Sequence, residues 1–265
     1  MSVSRPFIFG TNVKMTHTPA ETRNFLQMLA EVGEEIPTDV RLVYIPPYTS
    51  LYLRREFPLP SSTWLGAQNM HEDERGGNTG EISADMLGEL GIDLVLLGHS
   101  ERRERYNETD EELNRKVHAA VAHGLRFILC IGEKEREKSY GVARETLSRQ
   151  LKIALHGLTT HHLSKIHIAY EPVWAIGTSG RSASPEYVAK MHAWIRKVLD
   201  ELYPEESTIV PILYGGSVNE QNCAELAKIS LVDGLFVGRA VCQAENFRKV
   251  LNLSLASRFA REKER

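Results

Sequence analysis

Short apolar runs rich in β-branched residues recur along the chain, at Phe7 to Val13, Val40 to Ile45, Trp64 to Gln68, Leu94 to Gly98, Arg126 to Ile131, Ile166 to Tyr170, Ile209 to Tyr214 and Gly234 to Val237. They are nearly continuous rather than alternating, which marks strands covered on both faces, as in a parallel sheet between helices. The segments between them read as helices. Phe25, Met28, Leu29 and Val32, and again Leu113, Val117, Ala120 and Val121, fall at three- and four-residue steps and form the stripe of an amphipathic helix. Start signals agree: Thr18-Pro19-Ala20-Glu21 and Thr109-Asp110-Glu111-Glu112 have the form of capping boxes, and Ser184-Pro185 opens a helix running through Leu199. Strand and helix alternate eight times. That leaves a closed barrel or a doubly wound sheet, between which periodicity alone does not choose.

Length narrows the choice little, since 265 residues suit one α/β barrel of about 250. No low-complexity linker or composition shift divides the chain, so one domain over 1–265 is expected. Hydrophobic residues at 42% and charged residues at 25% describe a globular protein with a large core. A formal net charge of -3 lacks the basic excess of a nucleic-acid binder, and any anion site must be built locally. The apolar runs are too short to span a membrane, and the first residues have no signal-peptide character. Cys130, Cys223 and Cys242 lie far apart without paired spacing, which fits reduced thiols in a cytoplasmic protein. The sequons at Asn107 and Asn252 are then chance occurrences.

Polar residues gather where the strands end: Asn12 and Lys14 after the first, His99, Ser100 and Glu101 after the fourth, Glu171 after the sixth. A lone charge at a strand end is commonly a surface group, but several on the C-terminal rim of a barrel are the pattern of an active site. Glycines form a second group: Gly177, the run Gly215-Gly216-Ser217, and Gly238. They make tight turns or let a phosphate approach backbone N–H groups after strands seven and eight; spacing leaves both readings open.

The runs Asn12-Val13-Lys14-Met15, Gly80-Glu81-Ile82-Ser83, Gly98-His99-Ser100-Glu101-Arg102-Arg103, Cys130-Ile131-Gly132-Glu133, Ala169-Tyr170-Glu171-Pro172-Val173-Trp174-Ala175-Ile176-Gly177-Thr178 and Tyr214-Gly215-Gly216-Ser217-Val218 stand in one order across nearly the whole chain. In this the sequence resembles the triosephosphate isomerase family. The resemblance implies a single (β/α)8 barrel of the α/β class and an aldose–ketose isomerase of a small phosphorylated sugar. Glu171 would be the base, His99 the electrophile that polarises the carbonyl, and Lys14 with Asn12 the stabilisers of the enediolate, with Glu101 orienting them. Gly177, Ser217 and Gly238 would hold the phosphate, and Pro172, Val173, Trp174, Ala175, Ile176, Gly177 and Thr178 would form a lid. A carboxylate acting as a base near neutral pH needs a site shielded from water, which lid closure would supply. Thr79, in the loop from Asn69 to Gly80, would reach a partner subunit, so a homodimer is implied. No cofactor or metal is called for, because side chains supply both base and electrophile. His156, His161, His162 and His167 are expected to be surface histidines, and His71 to Glu74 a solvated loop.

Departures from the family pattern concern the walls of the site. The usual Gly-Asn-Trp-Lys reads Thr11-Asn12-Val13-Lys14, the usual Gly-Gly after strand eight reads Gly238-Arg239, and Phe236 stands where leucine is usual. Arg239 would strengthen phosphate binding or point outward. The segment from Thr178 to Ser184 is one residue longer than usual, and Gly77-Asn78 replaces an aromatic before Thr79. Two substrates follow: a triose phosphate, or a four-carbon ketose phosphate such as the tetrulose phosphate of erythritol catabolism, which relatives of this family isomerise. A silent sugar-phosphate-binding barrel is the reading from another class; retention of Lys14, His99 and Glu171 argues against it.

Overall fold

The computed structural model describes residues 5–176 and 182–263. Eight parallel strands close into a barrel in chain order: β1 (Phe7–Asn12), β2 (Val40–Ile45), β3 (Thr63–Ala67), β4 (Leu94–Leu97), β5 (Arg126–Ile131), β6 (Ile166–Tyr170), β7 (Ile212–Tyr214) and β8 (Gly234–Val237). Closure is the pairing of β8 with β1, where Gly10 stands opposite Phe236. This settles the open choice: each strand pairs with its sequence neighbours and the ends meet, which a doubly wound sheet does not allow.

Alternation along each strand builds two cores. Phe7 and Phe9, Leu42 and Tyr44, Ile168 and Tyr170 face the helices, while Ile8, Val43, Ile45, Leu96, Ile128, Leu213 and Phe236 pack within the barrel. The helical stripes are buried nearly as the periodicity requires: Phe25, Met28, Leu29 and Val32 on Pro19–Glu35, and Leu113, Val117 and Ala120 on Asp110–Ala122, where Val121 is only partly buried. Thr18 caps the first of these helices with a reciprocal box to Glu21. At Thr109 only half of the expected box forms: its hydroxyl accepts from the Glu112 N–H, while the Glu112 carboxylate pairs with Lys116 at 2.8 Å. Ser184 caps Pro185–Leu202, three residues longer than the stripe predicted.

Several strand ends differ from expectation: β1 stops at Asn12 rather than Val13, β3 runs over Thr63–Ala67 rather than Trp64 to Gln68, and β4 and β7 are shortened. Pro211 and a 3-10 turn over Ser207–Ile209 delay β7 to Ile212, since proline cannot donate to a ladder. Gly98, at φ +73, ends β4 one residue early. His167 corrects the surface reading of the histidine tract: it is buried within β6, edge-on to Trp64, and burial lowers it to about 4, so it stays neutral. His156 and His161 are exposed and His162 is partly buried. His71 to Glu74 do form a solvated loop, tied by Arg115 to Glu72 and by His123 to Glu74. Among the described residues no group of three metal-ligating side chains converges, and no helix is long and apolar enough to cross a membrane.

Candidate active site

The C-terminal ends of the strands surround a cavity of about 640 Å³. It is lined by Asn12, Val13 and Lys14 from β1, His99 and Glu101 from β4, Glu171 and Ile176 from β6, Gly215 to Asn219 from β7, and Phe236 to Ala240 from β8. Residues separated by more than two hundred positions in the chain thus share one wall, because the barrel brings all eight strand ends to one rim.

Lys14 is held in an uncommon backbone state. Its φ is +53, a conformation that costs a side-chain-bearing residue about 1 kcal/mol or more. Three bonds overdetermine it: its N–H donates to Asn12 Oδ1 at 2.9 Å, its carbonyl accepts from Gln68 Nε2 at 2.7 Å, and its Nζ meets Glu101 Oε1 at 2.8 Å. Burial raises the Glu101 carboxyl, but the hydrogen bond and charge of Lys14, with His99 nearby, outweigh it and hold the group below its ordinary value. The ammonium is thereby fixed at the cavity edge.

His99 caps the helix Ser100–Arg105, its Nδ1 accepting from the Glu101 N–H at 3.2 Å. An imidazole nitrogen that accepts carries no proton, so the hydrogen of the neutral ring sits on Nε2 and points into the cavity. Nε2 lies 3.8 Å from Glu171 Oε2. Glu171 follows β6 directly, its N–H bonded to the Ile131 carbonyl at 2.8 Å, and it is 3% exposed. Its Oε2 has no hydrogen-bond partner among the described residues. A buried carboxylate oxygen without a donor costs a few kcal/mol and leaves a lone pair facing the cavity. Beneath it, burial and then the Glu171 charge push the Cys130 thiol up, so that it remains protonated.

Residues 6–254 match the sequence model of the triosephosphate isomerase family. The chain belongs to that family. It is 41% identical over 244 residues to the triosephosphate isomerase of Aquifex aeolicus, covering 92% of this chain and 98% of that protein. It is also 42% identical to the L-erythrulose-1-phosphate isomerases of Rhizobium etli, over 91% of this chain and 90% of that one, and of Mesorhizobium japonicum, over 94% and 97%. As a member of the triosephosphate isomerase family, the protein is an isomerase whose relatives carry two substrate names at the same identity.

Of the residues singled out from the sequence, Asn12, Lys14, His99, Glu101, Glu171, Ser217, Gly238 and Arg239 all line the one cavity. Arg239 is exposed at its mouth and Gly238 half-buried. Pro172 and Ala175 are buried, Val173, Trp174 and Ile176 half-buried, with a 3-10 turn over Val173–Ala175. Gly177, Thr178 and most of the lengthened hinge lie outside the described residues. Thr79 is exposed in its loop, away from the cavity.

Sequence reasoning missed Gln68, although it ends an expected strand and satisfied the same rim criterion as Asn12. It also gave Glu133 no role beyond its motif. Glu133 is fully buried and accepts from Tyr170 Oη at 3.1 Å, Tyr187 Oη at 2.9 Å and Trp174 Nε1 at 2.7 Å, so the beginning of the expected lid is fastened to the segment that follows β5. Lys138 lies 3.3 Å over the Trp174 ring. Nothing in sequence spacing reveals that one carboxylate gathers these donors.

Proposed function

We propose that the protein interconverts dihydroxyacetone phosphate and glyceraldehyde 3-phosphate by proton transfer through an enediolate. The observation that carries this reading is the convergence of a buried, partnerless carboxylate oxygen, an imidazole N–H and an ammonium on one cavity. Glu171 takes a proton from the carbon beside the carbonyl, the Nε2 hydrogen of His99 polarises the carbonyl oxygen, and Lys14 with Asn12 balances charge growing on the enediolate oxygens. Glu171 then returns the proton to the adjacent carbon, so the reaction is redox-neutral overall and consumes nothing. Ser217, the backbone at Gly238, Arg239 and Gly177 hold the phosphate. Ile176 and Phe236 bound the cavity with apolar surface that keeps water from the base.

A second substrate has its own support. Relatives named for L-erythrulose 1-phosphate match the chain as well as those named for triose phosphate, and the cavity of about 640 Å³ has room for a further carbon. The same proton transfer serves both. Catalytic efficiency on the two purified substrates decides: we expect the larger value for triose phosphate, and a large preference for the four-carbon ketose phosphate would replace the first reading. Within either, Glu171→Asp should lower kcat by at least about a hundredfold with KM little changed. No proton exchange into solvent with any small ketose phosphate would leave a binding barrel instead.

The assembly is a cytoplasmic homodimer in this reading. Met15, next to Lys14 in the chain and 95% exposed, is a large apolar side chain that a second copy would cover. Sedimentation of the Met15→Asp variant as a monomer is the expected result.

A further inference from the structure

His17 stands in the connection after β1, three residues beyond Lys14, and its imidazole reaches the loop after the neighbouring strand β8. Nε2 lies 2.9 Å from the Cys242 carbonyl, and Nδ1 lies 2.8 Å from the Tyr44 hydroxyl on β2. A carbonyl only accepts, so Nε2 carries the hydrogen and Nδ1 is the acceptor for the Tyr44 O–H. Burial keeps that phenol protonated and hence a donor. The ring also packs against Phe25, at 5.7 Å between centroids, and Phe25 in turn stacks on Tyr44. His17 is thus held in one tautomer and one orientation.

What it holds is the relation between two walls of the cavity. The ladder joins β1 to β8 only as far as Thr11 and Val237; beyond it the Lys14 turn is tied to Asn12, to Gln68 after β3 and to Glu101 after β4, and none of these bonds reaches the loop after β8. The β8 loop turns through Arg239–Val241, with the Val241 N–H on the Gly238 carbonyl at 3.2 Å, and the Cys242 carbonyl closes its far end. Gly238 and Arg239, at its near end, line the cavity. We infer that His17 is a positioning residue that sets the distance between the Lys14 ammonium and the phosphate-holding loop after β8. A sugar phosphate touches both walls at once, so their spacing is matched to the length of the molecule. This rests on the reading that Gly238 holds the substrate phosphate.

His17→Phe keeps the ring packing and removes both hydrogen bonds; His17→Gln retains an N–H for Cys242 and an oxygen for Tyr44; Tyr44→Phe removes the hydroxyl alone. For each folded variant, KM, kcat and competitive inhibition by inorganic phosphate are measured. We expect His17→Phe to raise KM and the inhibition constant of phosphate together by about five- to tenfold, the effect of losing one or two bonds between neutral groups, with kcat within about threefold. His17→Gln should recover most of the loss and Tyr44→Phe reproduce part of it. A packing role alone would lower thermal stability and leave these constants unchanged. Unchanged KM and phosphate inhibition in His17→Phe, or equal values in the Phe and Gln variants, would overturn the inference. If inorganic phosphate fails to compete in the unaltered enzyme, the phosphate reading fails instead, and the two failures are told apart by that control.

Discussion

Replacing Gly215 by alanine tests whether the placement of Glu171 controls the rate. A Cβ at this position would stand 2.8 Å from Glu171 Cγ and 3.2 Å from its Oε1, whereas the Gly215 φ lies outside the left-handed range that favours glycine. Carbon atoms prefer about 3.5–4.0 Å, so the carboxylate must retreat by roughly 0.7–1 Å or turn to another rotamer. Misplacement of a reacting group by about 1 Å costs on the order of a hundredfold in rate, or about 2.7 kcal/mol of barrier. The Gly215 N–H would still donate to the Tyr170 carbonyl at 2.9 Å, so the end of β7 need not come apart. Overpacking costs about 1–3 kcal/mol of stability, which a barrel of this size tolerates. The assay is kcat and KM for triose phosphate beside a thermal melt, with Gly88→Ala as control. Gly88 is an exposed helical glycine with open space around its Cβ position, and alanine there should leave kinetics unchanged and add up to about 1 kcal/mol of stability. A folded Gly215→Ala enzyme with kcat/KM within about threefold of the original would refute the claim that the position of this carboxylate limits turnover.

Two further outcomes follow from buried groups. Glu133→Leu strands the hydroxyls of Tyr170 and Tyr187 and the Trp174 indole N–H, so urea denaturation should show a loss of about 3 kcal/mol and Trp174 fluorescence should shift as the indole loses its acceptor. Burial lowers His167 and His192 from 6.5 to about 4. Between those pH values the unfolded chain binds protons that the folded one refuses; each histidine therefore withdraws about 2 kcal/mol of stability as pH falls from 7 to 5, and withdraws nothing further below its folded value. Denaturation midpoints measured across that window should fall less steeply in His192→Asn than in the unaltered protein, and an equal slope would show that His192 does not contribute.

The barrel was legible because β-strands buried on both faces leave continuous apolar runs, and helical stripes obey a three-and-four spacing that survives any tertiary arrangement. Pro211 was visible too, yet its effect on β7 was overlooked in favour of the apolar run around it. Lys14, His99, Glu101 and Glu171 could be placed on the rim from their position after strands. His167 was misread because a histidine near other histidines suggests surface, whereas alternation within β6 turns it inward onto Trp64. Glu133 and His17 were beyond sequence reasoning for a different reason: their partners, Trp174 and Tyr187 for one, Cys242 and Tyr44 for the other, are distant in the chain and recognisable only once the barrel has closed.

The pairing of β8 with β1 also bears on how the molecule comes into being. Strands β1 to β7 can form as an open sheet while the chain is still being made, but β1 then presents an unpaired edge, the kind of surface on which chains aggregate. The seam is sealed from the chain's far end, by the Ile8 N–H on the Asp233 carbonyl at 3.0 Å and by Arg5 on the Asp233 carboxylate at 2.7 Å. Gly238 and Arg239 reach the cavity only with that seam. Gain of catalysis on refolding therefore reports ring closure itself, and it must lag behind the helical content that the earlier segments acquire on their own.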